Sequence, residues 1–154
     1  MGKFIYLDHA ATTAARPEVV GAMLPYFTEK FWNPSSVYSP AMENKNVIDQ
    51  CREIIGDSLG TDRQNIYFTA GGSESDNWAL KAAPQAYQGK GKHIITSKIE
   101  HHAILHTCEY LEAKGFEVTY LDVDENGIIK LEQLKKAIRP DTILISIMFA
   151  NNEI

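Results

Sequence analysis

The sequence predicts an α/β fold with a mostly parallel sheet and flanking helices. Two observations carry that prediction. From residue 65 onward, short β-rich apolar runs alternate with helical patterns: NIYFT with SESDNWALKAA, HIITS with HAILHTCEYLEAK, FEVTYL with LEQLKKAI, and finally TILISIMF. Such alternation means crossover units, and crossovers join parallel strands. The run from Ile143 to Phe149 is apolar on both alternating faces except at Ser146, which fits a strand covered by helices on both sides.

Taken in order, Phe4 to Leu7 is a short apolar strand candidate ahead of an Asp-His-Ala-Ala-Thr-Thr loop. Pro17 suits the first position of a helix, and Val19, Val20, Met23, Leu24 and Phe27 follow at helical spacing. Pro25 interrupts that pattern and should kink or shorten the helix. NPSSVYSP, from Asn33 to Pro40, is rich in turn residues and reads as a loop. A second helix is expected from about Ala41 to Leu59, with Val47, Ile48, Cys51, Ile54 and Ile55 as its apolar stripe and Gly60 as its stop. Pro84 should bend the helix that starts near Ser73, and Gly115 ends the one after it. No internal repeat or low-complexity segment is present.

The 154 residues suit one domain, or a piece of a larger one. An apolar share of 44% is enough for a packed core. The net charge is −5 with no basic run, so the footprint of a nucleic-acid binder is absent. The longest apolar run is too short for a membrane span. MGKFIYLDHAATT lacks an apolar signal core with a small-residue cleavage site. Two cysteines, Cys51 and Cys108, make no disulfide framework, and a reducing cytoplasm is the simplest compartment. ILISIMFANNEI ends the chain without a closing helix, so the sequence reads as the front part of something longer. Such a piece should leave sheet surface open and tend to associate.

In sheets of this kind ligands sit beyond the carboxyl ends of the strands. Three polar segments are expected there: TAGGSES, SKIEHHA and ANNEI. Gly71 and Gly72 let backbone approach a ligand without a Cβ in the way. Ser73 is an N-cap candidate, with Asp76 three residues on. The free N–H groups and dipole of a helix start favour an anion such as phosphate. The alternative is a turn and a cap with no ligand. GGSES is not G-x-S-x-G, because Ser75 stands at the last glycine, and no Gly-Lys-Ser/Thr follows to make a P-loop.

His101, between Glu100 and His102, can stack on a flat ligand, carry a proton, bind metal, or simply cap its helix. His101 and His106 are five apart and share no helix face, and no metal site is assigned. Among Asn151, Asn152 and Glu153, an asparagine can donate to a phenolic oxygen or serve as a loop amide. Cys108 lies on the stripe Ile104, Leu105, Leu111 and reads as a small core hydrophobe, as does Cys51 on its own stripe. DVDENGIIKLEQ mimics a calcium loop, but Gln133 holds the position that needs a bidentate Glu, so a strand-to-helix turn explains its acids better.

Together these segments resemble the cysteine desulfurases of the NifS and IscS type, which are fold-type I pyridoxal-phosphate enzymes of the class V aminotransferase superfamily. The matching pieces are YLDHAATT (Tyr6 to Thr13), NPSS (Asn33 to Ser36), FTAGGSESDN (Phe68 to Asn77), EHHA (Glu100 to Ala103), GFEVTYL (Gly115 to Leu121), NGII (Asn126 to Ile129) and NNEI (Asn151 to Ile154). They occur in the family's order and nearly cover the chain. The resemblance implies that residues 1–154 are the N-terminal portion of the large pyridoxal-phosphate-binding domain, aspartate aminotransferase-like in fold. It implies a parent that takes sulfur from L-cysteine, leaving alanine and an enzyme persulfide for an iron–sulfur scaffold or other acceptor protein. A homodimer is the parent state it implies. By the same match Gly72 and Ser73 hold the phosphate, His101 stacks on the pyridine ring and can assist proton transfer, and Asn152 contacts the phenolic oxygen. The HAATT segment and the NPSS loop match parts lining the substrate side.

The match has departures. Gly72 and Ser73 stand where the family's turn usually has Ala and Thr; Ser keeps the hydroxyl. Tyr38 stands where relatives often have His. The family's Asp facing the pyridine nitrogen, its Schiff-base lysine and its persulfide cysteine match no position here, and Cys51 and Cys108 do not match that nucleophile. A selenocysteine lyase or another class V enzyme would share these motifs, and a non-catalytic binding or dimerisation module would keep the fold. The 154-residue chain alone, supplied with pyridoxal phosphate and L-cysteine, is predicted to release no alanine catalytically; sustained turnover in an alanine assay would refute this.

Overall fold

A computed structural model describes residues 5–87 and 89–154. The chain divides into two compact units, one up to Phe68 and one from Thr69. Phe4 of the first strand candidate lies outside the described residues, and Ile5, Tyr6 and Leu7 form no strand.

The first unit is helical. α1 (Pro17–Met23) begins at its proline as expected. Pro25 ends the run: it cannot donate to the ladder, so the chain restarts as a short α2 (Pro25–Thr28). α3 (Ser39–Leu59) follows the NPSS loop, where the Asn33 side chain accepts from the Ser35 N–H at 2.9 Å. Buried Asn44 on α3 donates to the carbonyls of Lys30 (2.7 Å) and Trp32 (2.8 Å), pinning the segment that leads into the loop. Gly60 stops α3 in the left-handed region at φ 68°, where a Cβ would be penalised. The returning chain then lies so close to Gly56 that a Cβ there would meet the Thr61 carbonyl at 2.6 Å.

The expected stripe of α3 is not a buried one. Ile54 is 69% exposed and Cys51 is exposed, so Cys51 is no core hydrophobe. Val19, Val20, Met23, Leu24 and Phe27 of α1 and α2 are exposed as well. These helices carry the right period but, among the described residues, no partner layer covers them.

The second unit holds α4 (Gly72–Ala86), β1 (His93–Ser97), α5 (His102–Glu112), β2 (Glu117–Leu121), α6 (Leu131–Ala137) and β3 (Thr142–Ser146). The strands form one parallel sheet in the order β2-β1-β3. β1 is buried throughout because a strand pairs along each edge. Ile94 packs with Leu80 of α4 and with Ile104, Cys108 and Leu111 of α5, which is the apolar core of the unit. Cys108 is fully buried there, as its stripe predicted.

Two predicted strands differ from expectation. Residues 65–69 are not a strand: a 3-10 turn (Arg63–Asn65) runs into a segment that joins no strand of the sheet. A strand is defined by its partner, and local β propensity does not supply one. The last strand stops at Ser146 rather than Phe149, and Ile145 (42%) and Phe149 (105%) are exposed, so it is not covered on both faces. α4 runs through Pro84 to Ala86.

The amino edge of the sheet is closed by polar contacts. His93 is 1% exposed, and its two ring nitrogens lie 2.8 Å from the hydroxyls of Thr142 on β3 and Thr119 on β2. Arg139 pairs with Asp141 through two nitrogens (2.7 and 3.1 Å) and with Glu117. Gly91, just before β1, has Asp141 backbone where its Cβ would stand, with the carbonyl oxygen at 2.0 Å. Among the described residues no helix is long and apolar enough to cross a membrane.

Two predictions follow from this edge. Gly91→Ala should cost about 1–3 kcal/mol, because backbone must move to admit the methyl group; a urea titration should show a lower midpoint with an unchanged slope. Burial, reinforced by the Arg139 charge, holds the His93 pKa below its ordinary value of 6.5, against weaker opposing effects of Asp141 and Glu117. The unfolded chain therefore takes up a proton that the folded chain refuses until lower pH. The stability His93 contributes is present above about pH 6.5 and is lost as pH falls through its lowered value. Acidification from about pH 7.5 to 5.5 should lower the urea midpoint more in the wild type than in His93→Gln.

Candidate functional site

The start of α4 is built from backbone. Gly71, extended at φ 165°, is the N-cap, and Ser73 is already the second helical residue. The expected cap by Ser73 with Asp76 is therefore not formed, because capping requires a residue outside the helix. Neighbours brace the turn instead. The hydroxyls of Thr69 and Ser75 lie 2.7 Å apart, and the Glu74 carboxylate reaches back to the Ala70 N–H at 2.5 Å. Among the described residues the N–H groups of Gly72, Ser73 and Glu74 and the Ser73 hydroxyl have no hydrogen-bond partner. A Cβ on Gly72 would meet nothing within 4 Å, so that side of the turn is open.

His101 caps α5, its Nδ1 accepting the Ala103 N–H at 3.1 Å. In the neutral ring the proton therefore sits on Nε2, which faces outward as a donor. Ser73 and His101 line one shallow cavity of about 430 Å³, together with Asn77, Lys81, His102, Ala103, His106, Thr107 and Tyr110. No carboxylate lines it. The Lys81 ammonium donates to Asn77 Oδ1 at 2.7 Å and lies 5.2 Å from the centre of the Tyr110 ring. His102 and His106, one turn apart, stack with ring centres 5.3 Å apart.

Asn152 is exposed and lies outside that lining. Its neighbour Asn151 is the anchored one: its amide donates to the Ile99 carbonyl at 2.8 Å and its oxygen accepts from the N–H groups of Glu153 (2.6 Å) and Ile154 (3.1 Å). Glu100, 7% exposed, answers from the other side, one carboxylate oxygen accepting from Ser97 Oγ (3.0 Å) and from the Met148 N–H (2.7 Å). Sequence reasoning noticed both residues but gave neither a task. The only signal was an acid between a strand end and a histidine, and two adjacent asparagines of which either could have been the anchor.

The remaining candidates are spent elsewhere. Asp124 accepts from the N–H groups of Asn126 and Ile128, both at 2.9 Å, and Asp122 pairs with Lys98 at 2.6 Å, so the calcium-like acids hold a turn. Among the described residues no group of three or more His, Cys, Asp or Glu is placed to hold a metal ion. Burial, with help from Glu112, Glu100 and Glu109, pushes the Cys108 thiol up to about 11, which keeps it protonated and unreactive. In the first unit the NPSS loop and α3 flank a separate cavity of about 830 Å³, lined by Ser35, Ser36, Met42 and Arg52 among others.

Residues 5–154 match the family model for class-V aminotransferases. The chain belongs to the class-V aminotransferase family. Cysteine desulfurase IscS of Methanosarcina thermophila is 59% identical over 152 residues, covering 99% of this chain and 38% of that protein. Among solved structures, a NifS-like protein superposes with TM-score 0.93 at 40% identity, covering 97% of this chain and 41% of its own. A second, described as SspA in complex with cysteine, gives TM-score 0.92 at 44% identity, covering 97% and 43%. The chain thus spans about two fifths of the length of the relatives it matches.

Proposed function

We propose that this class-V chain is the N-terminal, cofactor-binding portion of a pyridoxal-phosphate-dependent cysteine desulfurase, residues 1–154 being the front part of its large domain. The observation that carries the reading is the open start of α4. Among the described residues three backbone N–H groups and the Ser73 hydroxyl have no partner there, and Ser73 shares a cavity lining with His101. These are the donors a phosphate monoester requires, set at the positive end of a 15-residue helix.

In this reading Gly72 and Ser73 grip the phosphate through backbone N–H groups and hydroxyl. His101 stacks on the pyridine ring, and its outward Nε2 can hold or pass a proton. Asn152 donates its amide to the phenolic oxygen. When bound, pyridoxal phosphate supplies an electron sink for the bond changes at the amino acid. The desulfurase names of the relatives, and a neighbour described in complex with cysteine, support L-cysteine as the parent's substrate. A sulfur-acceptor protein such as an iron–sulfur scaffold, a homodimeric parent and a cytoplasmic setting complete the proposal. The apolar side chains exposed on α1 and α2 support an association surface.

Titration of the chain with pyridoxal phosphate, followed by absorbance or fluorescence, tests the reading. Ser73→Ala should weaken binding about tenfold, the scale of a hydrogen bond to a charged group. His101→Ala should weaken it about three- to tenfold, the scale of a lost ring stack. Wild-type affinity in both variants would refute the assignment.

A further inference from the structure

Two buried or half-buried polar side chains in the second unit serve neither the core nor the cofactor directly. They reach across the carboxyl end of the sheet in opposite directions. Glu100, from the loop after β1, takes the Met148 N–H of the segment after β3 at 2.7 Å. Asn151, from the segment after β3, takes the Ile99 carbonyl of the loop after β1 at 2.8 Å. Each anchored residue immediately precedes a candidate cofactor contact: Glu100 precedes His101, and Asn151 precedes Asn152.

We propose that Glu100 and Asn151 are reciprocal positioning residues that set His101 and Asn152 relative to one another; the functional part of the inference rests on the cofactor reading above. Backbone leaving a sheet has no ladder to hold it, and a loop residue is placed only as well as its supports. Between β1 and β3 the last pair is Thr96 with Ser146, where the Thr96 hydroxyl also donates to the Ser146 carbonyl at 2.9 Å. Beyond it, these are the two hydrogen bonds that tie the β1 loop to the β3 exit among the described residues. Ser97, 1% exposed, holds the same Glu100 oxygen at 3.0 Å and so fixes its rotamer. Met148 lies two residues past the end of β3, so its N–H is held by the Glu100 carboxylate where the ladder no longer reaches.

The chemistry predicts a specific pattern of tolerance. One oxygen, Oε1, accepts both bonds. Glutamine offers the same acceptor and should restore what alanine removes. A residue that only filled space would show no such distinction.

The test uses the whole 154-residue chain with its histidines and asparagines isotopically labelled. In Glu100→Ala the His101 ring resonances and the Asn152 side-chain amide should shift while those of His93, at the far edge of the sheet, stay in place. Affinity for pyridoxal phosphate should fall about tenfold, as expected when binding groups are misplaced. Glu100→Gln should return the resonances and keep affinity within about threefold. Should Glu100→Ala lose its circular-dichroism signature of folding, Asn151→Ala carries the same test through the other cross-link. A folded variant of either kind with unmoved His101 and Asn152 signals overturns the positioning claim. A wild-type chain that takes up no pyridoxal phosphate overturns the cofactor reading instead, and the resonance shifts then decide the positioning claim on their own.

Discussion

The reversal of winding at β1 is the constraint on which the rest of the second unit depends. The chain leaves β1, pairs β2 along one edge, and then crosses back to lay β3 along the other. In sheets of this winding the chain exits on either side of such a reversal are where ligands bind, and here the exits of β1 and β3 are tied by Glu100 and Asn151. His101 lies on the segment leaving β1, and Asn151 and Asn152 on the segment leaving β3. The same winding also explains why β1 carries the most buried residues: it has no free edge, so His93, Thr96 and Ser97 must find partners inside the sheet. They do so through the hydroxyls of Thr119 and Thr142, the Ser146 carbonyl and the Glu100 carboxylate.

The two ends of the sheet are held by different means. At the amino edge, His93 spans all three strands while Arg139 gathers Asp141 and Glu117. The ion pairs there are exposed to water, which screens them, so each contributes little on its own. The buried histidine and the close approach of Gly91 to Asp141 are stricter, because charging the first or adding a methyl group to the second is costly. At the carboxyl edge an exposed Lys98–Asp122 pair joins the exits of β1 and β2, while among the described residues the exits of β1 and β3 are joined by hydrogen bonds between side chains and backbone. Such bonds specify direction, which suits an edge whose loops present binding groups.

The start of α4 shows how a helix terminus becomes a binding feature without a capping side chain. A side-chain cap would satisfy the free N–H groups and leave nothing for a ligand. Here Thr69, Ser75 and Glu74 brace the turn, and Ser73, the N-cap candidate of the sequence, stands two positions past the cap, its hydroxyl without a partner among the described residues. The same residue that looked like local structure is thereby released for a ligand. The cavity it shares with His101 has no carboxylate in its lining, although the chain is acidic.

Local pattern was enough to locate most helices, β1 and β2, the buried Cys108, and the motifs that carry family membership, because period, prolines, glycines and short motifs act over a few residues. Tertiary structure alone decided the strand order, that residues 65–69 join no sheet, that the stripe through Cys51 and Ile54 faces outward, and that Glu100 and Asn151 join the two strand exits. Each of those outcomes depends on a group distant in sequence: a strand needs another strand, burial needs a covering layer, and a hydrogen bond across the sheet spans about fifty residues of chain. Nothing in the residue itself encodes which distant group will be there.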